Sequence, residues 1–241
     1  MHLNIKNLSK KYGKIPVLNN INFKVNKGEI ISIVGPSGSG KTTLLKCISG
    51  FCNIDSGKIS IDSKEIQNLE ANKRNISYVF QESPLFPHLT VIENILFNMK
   101  DIDYEKLNFL LEKIQIKQLR NRYPHEISGG ENQRIVVARS LIRNPALLLL
   151  DEPFNNLDNS IKEHTKELIF DIIQKTNTTT IIVNHDTQES LEMSDRILVL
   201  DRENTNIIST PFKLYTKPET LDIAKLFGEI NCFNLEGEKI Y

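Results

Sequence analysis

Residues Gly35 to Thr42 read GPSGSGKT, a glycine followed after four residues by Gly40, Lys41 and Thr42, and this spacing constrains the fold more tightly than any other stretch. The run Glu29-Ile30-Ile31-Ser32-Ile33-Val34 ahead of it is nearly continuous in apolar residues, as in a strand buried on both faces. Lys41 to Ser49 behind it reads as a helix stopped by Gly50. Strand, glycine loop and helix in that order place unpaired backbone N–H groups at a helix N-terminus, where the macrodipole is positive and an anion is favoured. The loop is expected to cradle nucleotide phosphates, with Lys41 reaching the β- and γ-phosphates and the Thr42 hydroxyl ligating Mg²⁺.

A second helix start lies at Ile127-Ser128-Gly129-Gly130-Glu131-Asn132-Gln133-Arg134. Ser128 suits the N-cap of a helix whose apolar positions are Ile135, Val136, Ala138, Leu141 and Ile142, and Asn144-Pro145 stops it. Glu131 stands three residues after Ser128, the spacing of a capping box. Paired glycines just inside the start leave the backbone open to close approach, giving a second anion-suited end far in sequence from the first. Next comes Ala146-Leu147-Leu148-Leu149-Leu150, ending in Asp151-Glu152-Pro153. A central parallel strand with two carboxylates at its C-terminal edge is expected there, which is where open α/β sheets bind ligands. Asp151 fits the Mg²⁺ partner of Thr42, and Glu152 fits a general base that polarises the attacking water.

In this order the three motifs resemble those of ATP-binding cassette (ABC) transporter ATPases, over residues 3 to 231. Leu214 to Pro218 and Leu226 to Asn231 look like the importer branch that serves polyamines, ferric iron, sulfate or sugars. The resemblance implies an α/β fold: a P-loop NTPase (RecA-like) core with an antiparallel β subdomain and an inserted helical subdomain. It implies ATP binding by Tyr12, which matches an adenine-stacking aromatic, and by Gly35, Pro36, Ser37, Gly38, Ser39, Gly40, Lys41, Thr42 and Thr43. Catalysis would fall to Glu152, to His185 as a switch histidine, and to Lys41 and Gln81, with Mg²⁺ held by Thr42, Gln81 and Asp151. Ser128, Gly129, Gly130, Glu131 and Asp158 would act in trans, so that two chains sandwich two ATPs. The family most often has Gln where this chain has Glu131. Capping-box geometry tolerates either residue, while a carboxylate near bound phosphate is expected to lower ATP affinity slightly.

The partners so implied are a second ATPase subunit, making a homodimer, a transmembrane permease docking near Gln81 to Thr90 by a helix-in-groove contact, and an extracytoplasmic substrate-binding protein. The location implied is peripheral, on the cytoplasmic face of the inner membrane. Other readings are an exporter ATPase subunit, or a cytosolic cassette acting on ribosomes or DNA. A ribosomal cassette normally carries two cassettes and a charged linker, and a DNA-repair cassette a long coiled coil; this sequence has neither. A P-loop kinase or GTPase needs neither the Ser128 helix nor His185.

Thirty basic and thirty acidic residues in 241 cancel, so no overall field points to nucleic acid or an anionic membrane surface. No apolar run reaches bilayer length, and Met1-His2-Leu3-Asn4 begins no secretory signal, so a cytosolic chain is expected. Cys47, Cys52 and Cys232 lack metal-ligand spacing and are expected as reduced thiols. Strand-like alternation over Asn4 to Val25 and Lys58 to Asp62 suggests the antiparallel subdomain, and Val91 to Ile142 turns helical, with Leu107, Leu110, Leu111 and Ile114 at helical spacing. Further strands are expected at Ile76 to Phe80, Thr180 to Asn184 and Arg196 to Asp201, and a helix at Ile161 to Thr176. Residues 1–216 are expected to form the ATPase domain, with the helical subdomain at about 85–145. Residues 217–241 would supply a helix at Leu221 to Phe227 and a short tail, with the regulatory β-domain of the importer branch absent.

Overall fold

Strands β1 (Leu3–Tyr12) and β2 (Ile15–Val25) pair antiparallel with Leu3 opposite Val25 and Ile5 opposite Phe23, so their alternating apolar side chains collect on one face. The computed structural model describes residues 2–82, 84–201 and 206–229. The short strands β4 (Ser56–Ile61) and β5 (Lys64–Glu65) complete a sheet of order β2-β1-β4-β5, again antiparallel. This is the small antiparallel unit that the alternation predicts.

The second sheet contains β3 (Ile30–Val34), β6 (Ile76–Val79), β7 (Leu147–Asp151), β8 (Thr180–Val183), β9 (Arg196–Leu200) and β10 (Asn206–Ser209), in the order β10-β9-β3-β8-β7-β6. All neighbours run parallel except the edge pair β10 and β9. Period-2 geometry divides the leucine run of β7 between two cores. Leu147 and Leu149 join Ile31, Ile33 and helix α1 (Lys41–Ser49) beneath the antiparallel sheet. Leu148 and Leu150 face a helical layer instead. Each fully buried leucine contributes about 1.5–3 kcal/mol relative to exposure.

The helical layer holds α2 (Val91–Ile95), α3 (Tyr104–Lys113), α4 (Gly129–Leu141) and α5 (Asn159–Lys175). The helical stretch from Val91 to Ile142 is broken rather than continuous, because Asn98 and Gln115 adopt left-handed backbone (φ 57° and 56°) that no helix interior accommodates. Helices α6 (Thr187–Met193) and α7 (Pro211–Thr216) and strand β10 are additions to the elements expected from the sequence. Helix α8 (Leu221–Phe227) lies where predicted, and its Ile223 and Phe227 pack with Leu214 of α7 on Val34, Ile197 and Val199. The C-terminal helices therefore share an apolar cluster with β3 and β9. The expected tail and Cys232 lie outside the described residues. Among the described residues no helix is long and apolar enough to cross a membrane, and Cys47 and Cys52 are free thiols.

Candidate active site

The glycine loop follows β3 and delivers its last residue, Gly40, to the N-cap of α1 at φ 94°. A Cβ there would lie 2.9 Å from the Val17 carbonyl oxygen and 2.8 Å from Leu18 Cδ2, so glycine is required both by conformation and by space. At the far end of α1 the buried Arg74 guanidinium donates to the Cys47 and Ile48 carbonyls at 2.9 and 3.0 Å, a cation placed against the negative end of the helix dipole. The loop and α1 are thus held at both ends.

Lys41 is only 8% exposed, and its Nζ donates to the carbonyls of Gly35 at 2.7 Å and Pro36 at 3.0 Å. Burial pulls its pKa below the ordinary lysine value, with the Glu152 and Asp151 carboxylates opposing that shift. Thr42 Oγ1 donates to Asp151 Oδ1 at 3.1 Å, and the Tyr78 hydroxyl donates to Asp151 Oδ2 at 2.7 Å. Burial, reinforced by the neighbouring Asp151, raises the Tyr78 pKa and keeps that hydroxyl a donor. Nothing in the sequence singles out Tyr78. Its parallel register with Leu149 brings it beside Asp151, a contact that no local pattern announces.

A cavity of about 360 Å³ gathers Tyr12, Ser37, Gly38, Gly40, Lys41, Thr42, Thr43, Glu152 and His185, together with Val17. Tyr12 is half exposed, with its hydroxyl 3.5 Å from Cys52 Sγ. His185 is exposed just beyond β8, where buried Asn184 anchors the turn through its N–H to the Ile33 carbonyl at 3.3 Å and its Nδ2 to Ser190 Oγ at 3.2 Å. Glu152 adopts left-handed backbone at φ 49°, its N–H bonded to the Val183 carbonyl at 3.0 Å, and its Oε2 accepts from Asn155 Nδ2 at 2.5 Å. Gly35, Pro36 and Ser39 belong to the loop but do not line this cavity, and Ser39 Oγ is buried without a partner. The open space around Gly38, the Lys41 ammonium lining the cavity and the oxygen pair Thr42 and Asp151 suit a phosphate chain with its Mg²⁺. No cluster of three or more His, Cys, Asp or Glu able to hold a metal exists among the described residues.

The remaining expected residues stand elsewhere. Gln81 does not line the phosphate cavity; it lines a second one, of about 280 Å³, with Glu82, Gly129, Gln133, Pro153 and Asn156 among its other walls. Ser128 caps α4, with the Ser128 N–H donating to Glu131 Oε2 at 2.7 Å and the Glu131 N–H to Ser128 Oγ at 3.3 Å. Glu131 thus makes the capping box that its spacing predicts. Asp158 is the N-cap of α5, yet its side chain makes no capping hydrogen bond. None of Ser128, Gly129, Gly130, Glu131 or Asp158 lines the phosphate cavity of their own chain.

The two signature glycines differ in a way the sequence does not reveal. A Cβ on Gly130 would sit 2.6 Å from Ile161 Cγ2 and 2.8 Å from Thr165 Oγ1 of α5, whereas one on Gly129 would meet only Leu157 Cδ2, at 3.6 Å. The idea that both glycines keep the backbone open is therefore corrected: Gly130 is needed for close packing of α4 on α5. Gly130→Ala is expected to cost about 1–3 kcal/mol, the usual cost of overpacking, and to lower the melting temperature by several degrees. Gly129→Ala should melt within about a degree of the parent, as for substitutions away from packed or strained positions. Equal melting temperatures for the two variants would refute the packing distinction.

A parallel sheet with a glycine-loop helix, a Thr–Asp pair and a following glutamate defines a P-loop nucleoside triphosphatase. Residues 18–155 match the ABC transporter family model. The chain is 40% identical over 245 residues to the sulfate/thiosulfate import ATP-binding protein of Mesostigma viride, spanning 99% of this chain and 70% of that protein. It is 38% identical over 238 residues to the spermidine/putrescine import ATP-binding protein of Nitrosospira multiformis, spanning 96% of this chain and 66% of that one. A bacterial ABC transporter cassette solved as a dimer superposes with a TM-score of 0.73 at 28% identity, covering 87% of this chain and 98% of that one. The chain belongs to the ABC transporter family and is an ATP-binding cassette ATPase.

Proposed function

We propose that this cassette powers import through a membrane permease, two copies closing on two ATP molecules and reopening after hydrolysis. The observation that carries the reading is the separation of the phosphate cavity from the capped tip of α4 within one chain, which leaves each site half-built. Lys41 and Thr42 of one copy, with Ser128 and Gly130 of the other, enclose the γ-phosphate. Glu152 accepts the proton of the attacking water, and His185, lining the same cavity, positions water and phosphate. Thr42 and Asp151 would hold Mg²⁺, which would supply charge neutralisation for the phosphate oxygens, while Tyr78 fixes the second Asp151 oxygen. Gln81, which lines the second cavity, would supply a further oxygen to that ion. Relatives of similar identity import, by their names, an anion and a polycation, so the cargo is recognised outside this chain, by the permease and an extracytoplasmic binding protein.

The permease docks along Gln81 to Thr90, placing the chain peripherally on the cytoplasmic face of the membrane. Residues 1–216 act as the cassette, with the helical unit at about 85–145, and 217–241 as its C-terminal appendage. Within the docking segment Leu85 is buried, and Phe86 is half-buried against Phe97, with ring centroids 4.4 Å apart, and lies near the Arg139 guanidinium at 5.9 Å. The more accessible apolar surface is the adjoining trio Phe51, Tyr78 and Phe80, in which Phe51 is 57% and Phe80 38% exposed. Phe51→Asp is expected to cut permease-coupled transport at least tenfold, on the scale of losing an aromatic anchor. ATP hydrolysis by the isolated chain should stay within twofold of the parent. Equal losses in both assays would remove this surface from the docking site. Co-purification of the full chain with a multi-spanning permease tests the whole reading, and co-sedimentation with ribosomes instead would overturn it.

A further inference from the structure

Two thiols that the nucleotide chemistry leaves unused stand together at the end of α1. Cys47 is fully buried in the last turn of the helix, and Cys52 is half-buried just beyond it. Gly50, left-handed at φ 87°, reverses the chain between them, and the Cys52 N–H returns to the Lys46 carbonyl at 3.1 Å. Cys52 therefore packs on the apolar cluster that contains Cys47, with the two sulfurs close enough to interact electrostatically. Cys52 Sγ also lies 3.5 Å from the Tyr12 hydroxyl, and Tyr12 lines the phosphate cavity. One half-buried sulfur thus touches both a second thiol and a wall of the nucleotide site.

We propose that Cys47 and Cys52 are a reversible redox pair, closed by a low-molecular-weight disulfide, and that closure takes the Cys52 sulfur from Tyr12 and weakens ATP binding; this rests on reading Tyr12 as the adenine contact. Cys52 Sγ, the accessible sulfur, attacks one sulfur of the oxidant, whose S–S bond breaks and whose other half leaves as a thiol carrying the Cys52 proton. Cys47 Sγ then displaces the remaining half from Cys52, and that half leaves as a second thiol carrying the Cys47 proton. Two protein thiols are oxidised to one disulfide, and one external disulfide is reduced to two thiols. Burial pushes the Cys47 thiol up to about 12, which suits it to resolve the exchange rather than to start it. An S–S bond of about 2.0 Å draws Cys52 Sγ inward toward α1, away from the Tyr12 hydroxyl.

The test uses the full chain carrying Cys232→Ser, which leaves Cys47 and Cys52 as its only cysteines. Glutathione disulfide should lower the mass by two hydrogen atoms with no adduct, peptide mapping should place the bond between Cys47 and Cys52, and dithiothreitol should reverse it. By isothermal titration the dissociation constant for ATP should rise about fivefold on oxidation, the scale of one weakened aromatic contact, and return on reduction. Cys52→Ser should show no response to the oxidant. Tyr12→Ala should bind ATP more weakly than the parent from the outset, and should form the same disulfide with no further loss, the non-additivity expected when the sulfur acts through the ring. A stable glutathione adduct, no reaction, a response in Cys52→Ser, or a disulfide that leaves ATP affinity unchanged overturns the proposal. If Tyr12→Ala binds ATP like the parent, the adenine reading falls and takes this link with it. If Tyr12→Ala is weak while the oxidised parent binds as tightly as the reduced one, only the redox link falls.

Discussion

Glu152→Gln is expected to hydrolyse ATP about a thousandfold more slowly than the parent, within the range general-base catalysis contributes, and to accumulate as an ATP-bound dimer. A thousandfold corresponds to about 4 kcal/mol of barrier. The substitution keeps side-chain size and keeps an oxygen that can accept from Asn155, so the left-handed turn at residue 152 should survive. What it removes is the ability to take a proton from water. In the proposed reading nucleotide binding relies instead on the loop, Lys41 and Thr42, which the change leaves in place. Phosphate release reports the first effect, and size-exclusion chromatography with and without ATP reports the second. A variant that turns over at the parental rate, or that stays monomeric with ATP while the parent dimerises, would sink the assignment.

Features written in contiguous residues are legible in the sequence by itself. The glycine loop, α1 with Gly50 behind it, the capping box of Ser128 and Glu131, and the leucine run ending at Asp151 and Glu152 each encode their geometry within about ten residues. Features that depend on register between distant strands are not. Tyr78 reaches Asp151 only because β6 lies parallel to β7, and Arg74 reaches the end of α1 only through the fold. Gly130 reads as part of an open backbone because its neighbour on α5, Ile161, lies 31 positions away. Asn155 escapes a sequence reading although it is only three residues from Glu152. A left-handed residue at a strand end is set by the sheet edge rather than by composition, and Glu152 there accepts from Asn155.

Lys41→Met should weaken ATP binding by about a hundredfold, roughly 2–3 kcal/mol, the value of a charge-assisted hydrogen bond lost from a partly buried site. Two of the three ammonium hydrogens are engaged by the Gly35 and Pro36 carbonyls, which hold the side chain against the loop. The remaining one is available to a phosphate in the cavity that Lys41 lines. Methionine keeps the length and apolar stem, and it leaves the two loop carbonyls without this donor. A loss of fold alone therefore predicts a lower melting temperature together with weaker binding. The phosphate role predicts something separable: Lys41→Arg, which retains the charge and can still serve the loop carbonyls, should melt like the parent yet bind ATP at least tenfold less tightly, because a planar fork does not replace a point charge in so close a cradle. Isothermal titration with ATP and Mg²⁺, set beside thermal melts of the three proteins, decides between them. Parental affinity in Lys41→Met would mean that the backbone cradle alone holds the phosphates.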